Sequence, residues 1–458
     1  MGAGDEMRVW LCRRAGRAAV AALLLTLGAS GGGFAQGVTG DADPALRSSY
    51  DATFSRMLRE PSNLDVIFDF ARLAAQVGDM EGAVGAYERM LIYNPNLPTV
   101  RFELGRLYFL LGSYAFADSY FRGALQGDVP PEVRAEIERY LAEIAKRQSV
   151  HRFTGSFGGG FKYQSNANAA PAQVRVFGID TVLNPGFRAS QDGSAYIAGD
   201  VVHIYDFQSQ SGITLESAAT MYAAQQFTVT AFSLALLEIT PGVRVPLLDD
   251  PGAPTLSVRP YLIGDFVALD YAPFYDGLGA GLNFRSAITP QLQLNLDLEY
   301  RHRNFTNTAT NPVLSIKDGD LKLVRLFGSY LLGTNDIVTL TTQYSDNSAR
   351  VGLESYQEYL ISTSYAHVFD DPWALTGRPW IAAVQGGVAL RPYDQPDPVI
   401  DPGATRFDHD WNVGATLNVG LTDTVSGLMQ VQHQWVRSSL PNFRYDNTTA
   451  LIGLRMNF

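Results

Sequence analysis

From residue 151 to residue 458 apolar and polar side chains alternate with a period of two, and this pattern restricts the fold more than any other feature of the chain. Leu292, Leu294, Leu296, Leu298 and Tyr300 alternate with Gln293, Asn295, Asp297, Glu299 and Arg301. Trp411, Val413, Ala415, Leu417 and Val419 alternate with Asp410, Asn412, Gly414, Thr416 and Asn418, and Met429, Val431 and Trp435 stand opposite Gln430, Gln432 and Gln434. In the final run Ala450, Ile452, Leu454, Met456 and Phe458 share one side, with Gly453, Arg455 and Asn457 on the other. A period of two describes strands with one oily and one wet face. A charged side chain facing mid-bilayer costs about 2 to 4 kcal/mol, so if the oily faces meet lipid the polar rows must line a lumen.

Fourteen such segments begin near residues 152, 194, 212, 231, 255, 275, 292, 320, 337, 354, 379, 407, 424 and 445. Long connections (165–192, 306–317, 394–405) follow odd-numbered segments, whereas tight ones (289–291, 333–336, 422–423) follow even-numbered ones. Loops sorted in this way distinguish an outer-membrane barrel from a soluble sandwich, and an even strand count brings both ends of the sheet to one side. Fourteen strands lies between side-chain-filled barrels of about 8 and open porins of about 16 to 18, so a lumen partly filled by loops is expected. The last strand must pair with the first, near Phe153 to Tyr163, to abolish the sheet edge. Phe458 is the expected barrel-assembly signal.

Upstream the pattern changes. Arg8, Arg13, Arg14 and Arg17 precede an apolar run at 18–27, and Gly33-Phe34-Ala35 supplies small residues at a cleavage site, as in a signal peptide spanning 1–35. Met7 is an alternative start. The net charge of −11 becomes −13 when those four arginines and the two acids Asp5 and Glu6 are removed. From about 44 to 148 the spacing is helical and repeats every 34 residues: Pro61 answers Pro95, Gly78 answers Gly112, Ala83 answers Ala117 and Tyr87 answers Phe121. This period resembles the tetratricopeptide repeat, with Leu104, Gly105, Tyr108, Gly112, Ala117, Phe121 and Ala124 in register. A partial repeat within 36–60 precedes two units in 61–148, and Val133, Ile137, Tyr140, Leu141 and Ile144 form the apolar stripe of a closing helix. The register places Phe68, Arg72, Phe102, Arg106 and Phe109 on the concave side, where they would bind a peptide by aromatic pockets and carboxylate-holding arginines. Packing and solvated surface are the plainer reading of the same residues.

The chain is therefore expected to be an α+β multidomain protein, a short α-solenoid of tetratricopeptide type followed by a 14-stranded antiparallel transmembrane β-barrel over 149–458. The single cysteine, Cys12, falls in the leader, which excludes a disulfide framework from the mature chain. The acidic balance argues against nucleic-acid binding. No hydrolase elbow, phosphate loop or paired-cysteine site is present, so no enzyme activity, cofactor or metal is expected. The six histidines are spread over six segments and suit strand ends. Asp297, Glu299, Arg301 and Arg303 form a charged ladder that would tune a pore or simply neutralise a lumen wall, and Gly158, Gly159 and Gly160 let backbone approach closely.

Tyr163-Gln164-Ser165-Asn166-Ala167-Asn168, the closing helix at 131–147 and the segment 437–458 carry a resemblance to the surface lipoprotein assembly modulator family. Ser165, Asn166 and Asn168 match its short barrel motif, while Gln164 stands where the family usually has Asp. The resemblance implies a protein of the outer membrane with its N-terminal domain in the periplasm. It implies partners among surface lipoproteins or other secreted proteins, periplasmic chaperones, the barrel-assembly machinery and the bilayer itself. The alternative is an exopolysaccharide export porin with a periplasmic tetratricopeptide domain, and a barrel hydrolase also stays open.

Overall fold

The computed structural model describes residues 44–183, 188–248, 253–309 and 311–458; the expected signal peptide (1–35) and residues 36–43 lie outside the described residues. Two compact units emerge, helical up to residue 150 and stranded from His151 onward.

Among the described residues six helices make the first unit: α1 (Pro44–Arg59), α2 (Leu64–Val77), α3 (Met80–Tyr93), α4 (Pro98–Leu110), α5 (Tyr114–Leu125) and α6 (Pro131–Arg147). The side chain of Asn63 caps α2 by accepting from the Asp65 and Val66 amides, and Asp79 caps α3 through the Gly82 amide. Gly78 ends α2 at φ 93° and Gly112 follows α4 at φ 73°, left-handed positions that glycine adopts without penalty. Ala83 and Ala117 are fully buried where paired helices cross. Gly105 lies so close to the Phe121 ring that an added Cβ would overlap it. Burying a side chain such as Phe121 contributes roughly 1.5 to 3 kcal/mol, which explains why the 34-residue period keeps a small residue opposite a large aromatic. The expected partial repeat is a full helix: α1 sets Tyr50 and Phe54 against Phe70. At the other end Ile137 and Ile144 of α6 are buried against Phe121 and Ala124.

The second unit begins with β1 (His151–Gln164), followed by a small separate hairpin, β2 (Gln173–Val176) and β3 (Ile179–Val182). Next come β4 (Asp192–Asp206), β5 (Thr214–Gln226), β6 (Leu234–Leu248), β7 (Thr255–Leu269), β8 (Ala272–Ala287), β9 (Leu292–Phe305) and β10 (Gly319–Leu332). The remaining strands are β11 (Asp336–Ala349), β12 (Tyr356–Phe369), β13 (Trp380–Pro392), β14 (Phe407–Gly420), β15 (Val425–Ser438) and β16 (Tyr445–Asn457). β1 and β4–β16 form one closed antiparallel barrel of fourteen strands. Their starts fall within three residues of those read from the alternation. β16 closes on β1 from Ser156↔Asn457 to Gln164↔Thr449, and backbone bonds between Gly155 and Phe458 extend the seam. An added Cβ on Gly160, opposite Gly453, would strike the Ile452 carbonyl.

The loop sorting is real but not uniform. One barrel end carries the long connections 165–191, 306–318 and 393–406, yet the β7–β8 link there is only Asp270 and Tyr271. Both have φ above 50°, the conformation of a two-residue hairpin turn. The opposite end is short except for 370–379. The hairpin β2–β3 inside the first long connection is an addition that the alternation did not reveal.

Leu262, Leu340, Val384, Val431, Ile452 and Leu454 are among many large apolar side chains exposed around the outer wall. Such a belt far exceeds the few hundred Å² that a soluble monomer leaves open, and it fits an outer-membrane protein. Among the described residues no helix is long and apolar enough to cross a membrane. The crossing belongs to the strands.

Candidate functional site: the lumen and the helical unit

Inward-facing residues of the fourteen strands enclose a chamber of ≈ 820 Å³. Its polar rows are those expected from the alternation, including Asp297, Glu299, Arg301 and Arg303 of β9 and Gln430, Gln432 and Gln434 of β15. The β9 ladder is neutralised across strands. Arg301 reaches Glu238 at 2.5 Å, Glu299 at 2.6 Å and Asp265 at 2.8 Å. Glu299 also accepts from the Tyr261 hydroxyl at 2.8 Å, Asp297 accepts from Asn283 at 2.8 Å, and Arg303 donates to Asn347. A charge in a narrow lumen that already has several partners cannot act as a free selectivity group; it stiffens the wall.

Two further clusters flank the ladder, and neither was singled out from the sequence. Glu216 of β5 is buried among three guanidinium groups, Arg244 at 2.6 Å, Arg285 at 3.4 Å and Arg259 at 3.6 Å. Arg391 of β13 bridges Glu358 at 2.5 Å and Asp410 at 3.1 Å, with Gln434 donating to Asp410. The signal lay in alternation: Glu216, Arg244, Arg259, Arg285, Glu358, Arg391 and Asp410 all occupy inward positions. Pro241, Pro246 and Pro260 interrupt the pattern nearby and obscured it.

The lumen mouth at the long-loop end is folded over. Ser165, Asn166 and Asn168 form a clasp here rather than a ligand site. Ser165 exchanges bonds with Thr448 through its amide and its hydroxyl, at 2.9 and 2.8 Å. The amide of Asn166 donates to Asn447, while its side chain accepts from the Ala170 amide and donates to the Ala170 and Asp446 carbonyls. Asn168 links to Arg188 and Ser190 across the same loop. The hairpin β2–β3 is held by its neighbours: Asn442 bonds both backbone groups of Arg175, and the amides of Phe177 and Gly178 donate to Val399 and Ile400. Three loops are thereby locked together. On the other side of the mouth Leu314 packs on Val267 and Phe274, and Lys317 pairs with Glu354 at 3.5 Å, both nearly buried.

In the helical unit the five expected groove residues do not share one environment. Phe102 is 7 % exposed and packs on Phe121, so it is a core residue and a correction to the groove reading; the missing Cβ of Gly105 draws the Phe121 ring inward and Phe102 follows it. Phe109 is half-buried edge-on to Tyr114 and Tyr140, with Arg147 over its face. Phe68 is half-buried against Tyr87. Arg72 is exposed 3.7 Å from Asp69, and Arg106 lies 3.2 Å from Glu103 and over the Phe102 ring. Burial pushes the Glu103 carboxyl up while Arg106 draws it back. Both arginines thus already face an acid three residues earlier on their own helix, so a ligand carboxylate would have to compete with it.

Five of the six histidines sit within three residues of a strand end, as at His151 with His203 and His367 with Asp336, whereas His433 lies mid-strand in β15 beside Thr448. Phe458 extends the closing seam through its backbone, with its side chain exposed.

No protein-family model matches the sequence, and no curated protein does. Among solved structures, the type III secretion chaperone SycD of Yersinia enterocolitica in complex with a peptide of the translocator YopD is 12 % identical, with 23 % of this chain and 83 % of that one covered at a TM-score of 0.22. PcrH in complex with the chaperone binding region of PopD is 15 % identical, with 23 % and 82 % covered at 0.22. OccAB3 of Acinetobacter baumannii is 9 % identical over 67 % of this chain and 99 % of that one, at 0.33. At such identities and TM-scores none of these proteins lends its activity to this chain. Its own geometry, a tetratricopeptide-like helical unit joined to a closed barrel with an apolar belt, supports a general role in outer-membrane transport.

Proposed function

We infer that the chain is a non-enzymatic outer-membrane protein that assembles or translocates partner proteins, surface lipoproteins foremost, with the helical unit receiving them in the periplasm. The observation that carries this reading is the joining, on one chain, of two tetratricopeptide hairpins with a barrel whose mouth is covered by interlocked loops. A solute porin needs neither part. The resemblance of the 163–168 segment to the surface lipoprotein assembly modulator family adds support, and its asparagines serve to anchor the loop over the mouth. Work would come from folding of the partner outside the cell rather than from hydrolysis. Phe458 would serve barrel assembly; a chain lacking it should reach the membrane in lower amount, and normal levels would remove that role.

The test is deletion of the gene followed by a survey of proteins displayed on the surface. Loss of one or more lipoproteins from the surface, restored by the full chain and not by a chain lacking residues 61–148, is expected; unchanged display of every lipoprotein would refute the reading. A second reading, export of an exopolysaccharide, is favoured by one feature. Gln430, Gln432 and Gln434 of β15, with Asn412 opposite Gln434 on β14 and Gln343 apart on β11, give the lumen wall amides suited to sugar hydroxyls. Loss of a capsule with surface proteins intact would establish it instead.

A further inference from the structure

The lipid-facing wall carries a concavity that protein transport does not use. This cleft, ≈ 870 Å³, lies where β5–β11 would meet the membrane. Pro241 of β6, Pro260 of β7 and Ala280 of β8 make its floor, and Leu262 and Leu282 rise beside them. The depression follows from the sequence. Proline offers a short ring and no amide hydrogen, and transmembrane strands seldom carry it because lipid supplies no substitute partner. Between residues 239 and 245 the β6–β7 register is kept but the strands pair only at Ile239↔Gly264, Gly242↔Tyr261 and Val245↔Val258. From the lumen side Arg259 donates to the Thr240 carbonyl in that gap. The wall is thinned on its outer face and repaired from within.

One end of the cleft is charged. Lys322 belongs to the lining, lies three residues from the long-loop end of β10, and alternates with the inward residue Leu323. It is one of four lysines in the chain, and the others lie elsewhere: Lys146 on α6, Lys162 in the lumen beside Tyr222, and Lys317 buried with Glu354. The Lys322 side chain is 61 % exposed, with the Asp346 carboxylate 3.5 Å from its ammonium nitrogen, and Tyr300 and Tyr344 line the cleft beside it. A lysine at this depth places its charge at the headgroup level while its stem stays in apolar surroundings. From Lys322 the cleft runs toward mid-strand at Pro241 and Pro260, the path of a lipid in the leaflet on the long-loop side, with its head at the rim and its acyl chain toward the midplane.

We propose that this cleft is a binding site for a net-anionic, phosphate-bearing, multi-acyl membrane lipid, with the acyl chain on the Pro241–Pro260–Ala280 floor and the phosphate beside Lys322. A lipid anchor attached to an exported protein is the competing occupant; it carries no phosphate to compete with Asp346 for the lysine at the rim. The proposal stands apart from the protein-transport reading.

The experiment uses the full chain in detergent, mixed with equal amounts of a diacylphosphatidylglycerol, a diacylphosphatidylcholine and a diacylglyceryl-cysteine lipopeptide, with retained lipid counted by native mass spectrometry. The wild type should retain phosphatidylglycerol over the other two. Ala280→Trp, which fills the floor, should lose that retention, and Lys322→Gln should erase the preference for phosphatidylglycerol over phosphatidylcholine. Heat-modifiable gel mobility verifies that each barrel is folded, and Lys322→Gln decides alone if Ala280→Trp does not insert. Equal retention of the two phospholipids by the wild type, or unchanged preference in Lys322→Gln, would overturn the proposal. Undiminished retention by a folded Ala280→Trp barrel would do the same, and preference for the lipopeptide would reassign the cleft to a protein's anchor.

Discussion

The clasp at Asn166 gives the most quantitative test of how the mouth is held. Asn166 is 4 % exposed, and its side chain accepts from the Ala170 amide at 2.9 Å while donating to the Ala170 and Asp446 carbonyls. Asn166→Ala removes all three bonds. The carbonyls retain a second lone pair, but the Ala170 amide has one hydrogen and no replacement acceptor, which costs about 1 to 3 kcal/mol. Loss of the donated bonds adds about 1 kcal/mol, so the loop 165–191 should be destabilised by roughly 2 to 4 kcal/mol. At about 1.36 kcal/mol per factor of ten, its open population rises roughly 30- to 900-fold. Trypsin cleavage at Arg175 and Arg188 reads that population when opening and closing are fast relative to cleavage. Full-length protein in detergent should therefore be cut in this loop at least about 30 times faster in the variant, with heat-modifiable barrel mobility unchanged. A change below about threefold would refute the clasp, since it would mean that Asn442 and Thr448 hold the loop without it.

Three further outcomes follow from packing and charge. Gly105→Val would drive a branched side chain into the Phe121 ring and should cost about 1 to 3 kcal/mol, lowering the helical melt seen at 222 nm while the barrel persists. Glu216→Gln would leave Arg244, Arg259 and Arg285 without their shared anion; a loss of about 3 to 5 kcal/mol should lower the temperature at which the barrel loses its compact gel mobility, and an unchanged temperature would show that water neutralises the cluster. Asp371, in the 370–379 connection, accepts from the amides of Thr376, Trp373 and Gly377, and these bonds hold its carboxyl below the usual range. Its stabilisation is thus complete above the unfolded value of about 3.9 and is lost as pH falls through the lower folded value. Hydrogen exchange at 370–379, measured against the turn at 333–335, should quicken only in that acid range, and Asp371→Asn should remove the pH dependence.

Sequence and structure agree most closely where a single physical rule acts locally. A strand in contact with lipid has to alternate, so Leu292 to Arg301 could be assigned to outer and lumen faces directly, and the fourteen strand starts followed. The 34-residue period likewise located the helix crossings at Ala83 and Ala117, because only small residues fit there. What escaped notice depends on partners far apart in the chain. Asn442 and Arg175 are 267 residues apart, and nothing local to either announces that one caps the other. A helical period shows that a face recurs but not how far a neighbouring ring, here Phe121, reaches over it, so Phe102 reads as a groove residue in the sequence and is a core residue in the fold. The role of Glu216 is hidden in the sequence for a related reason. A lone acid in a strand takes its meaning from Arg244, Arg259 and Arg285 on three other strands, and only the barrel register brings these together.

Under the proposed function the clasped mouth, the stiffened lumen and the helical unit would serve to pass a partner protein to the cell surface, and surface proteomics of a deletion strain tests that proposal most directly. The account predicts that at least one lipoprotein disappears from the protease-accessible surface and accumulates inside the cell envelope, returning when the full chain is restored. Normal surface density of every lipoprotein, with or without loss of a polysaccharide coat, would contradict it.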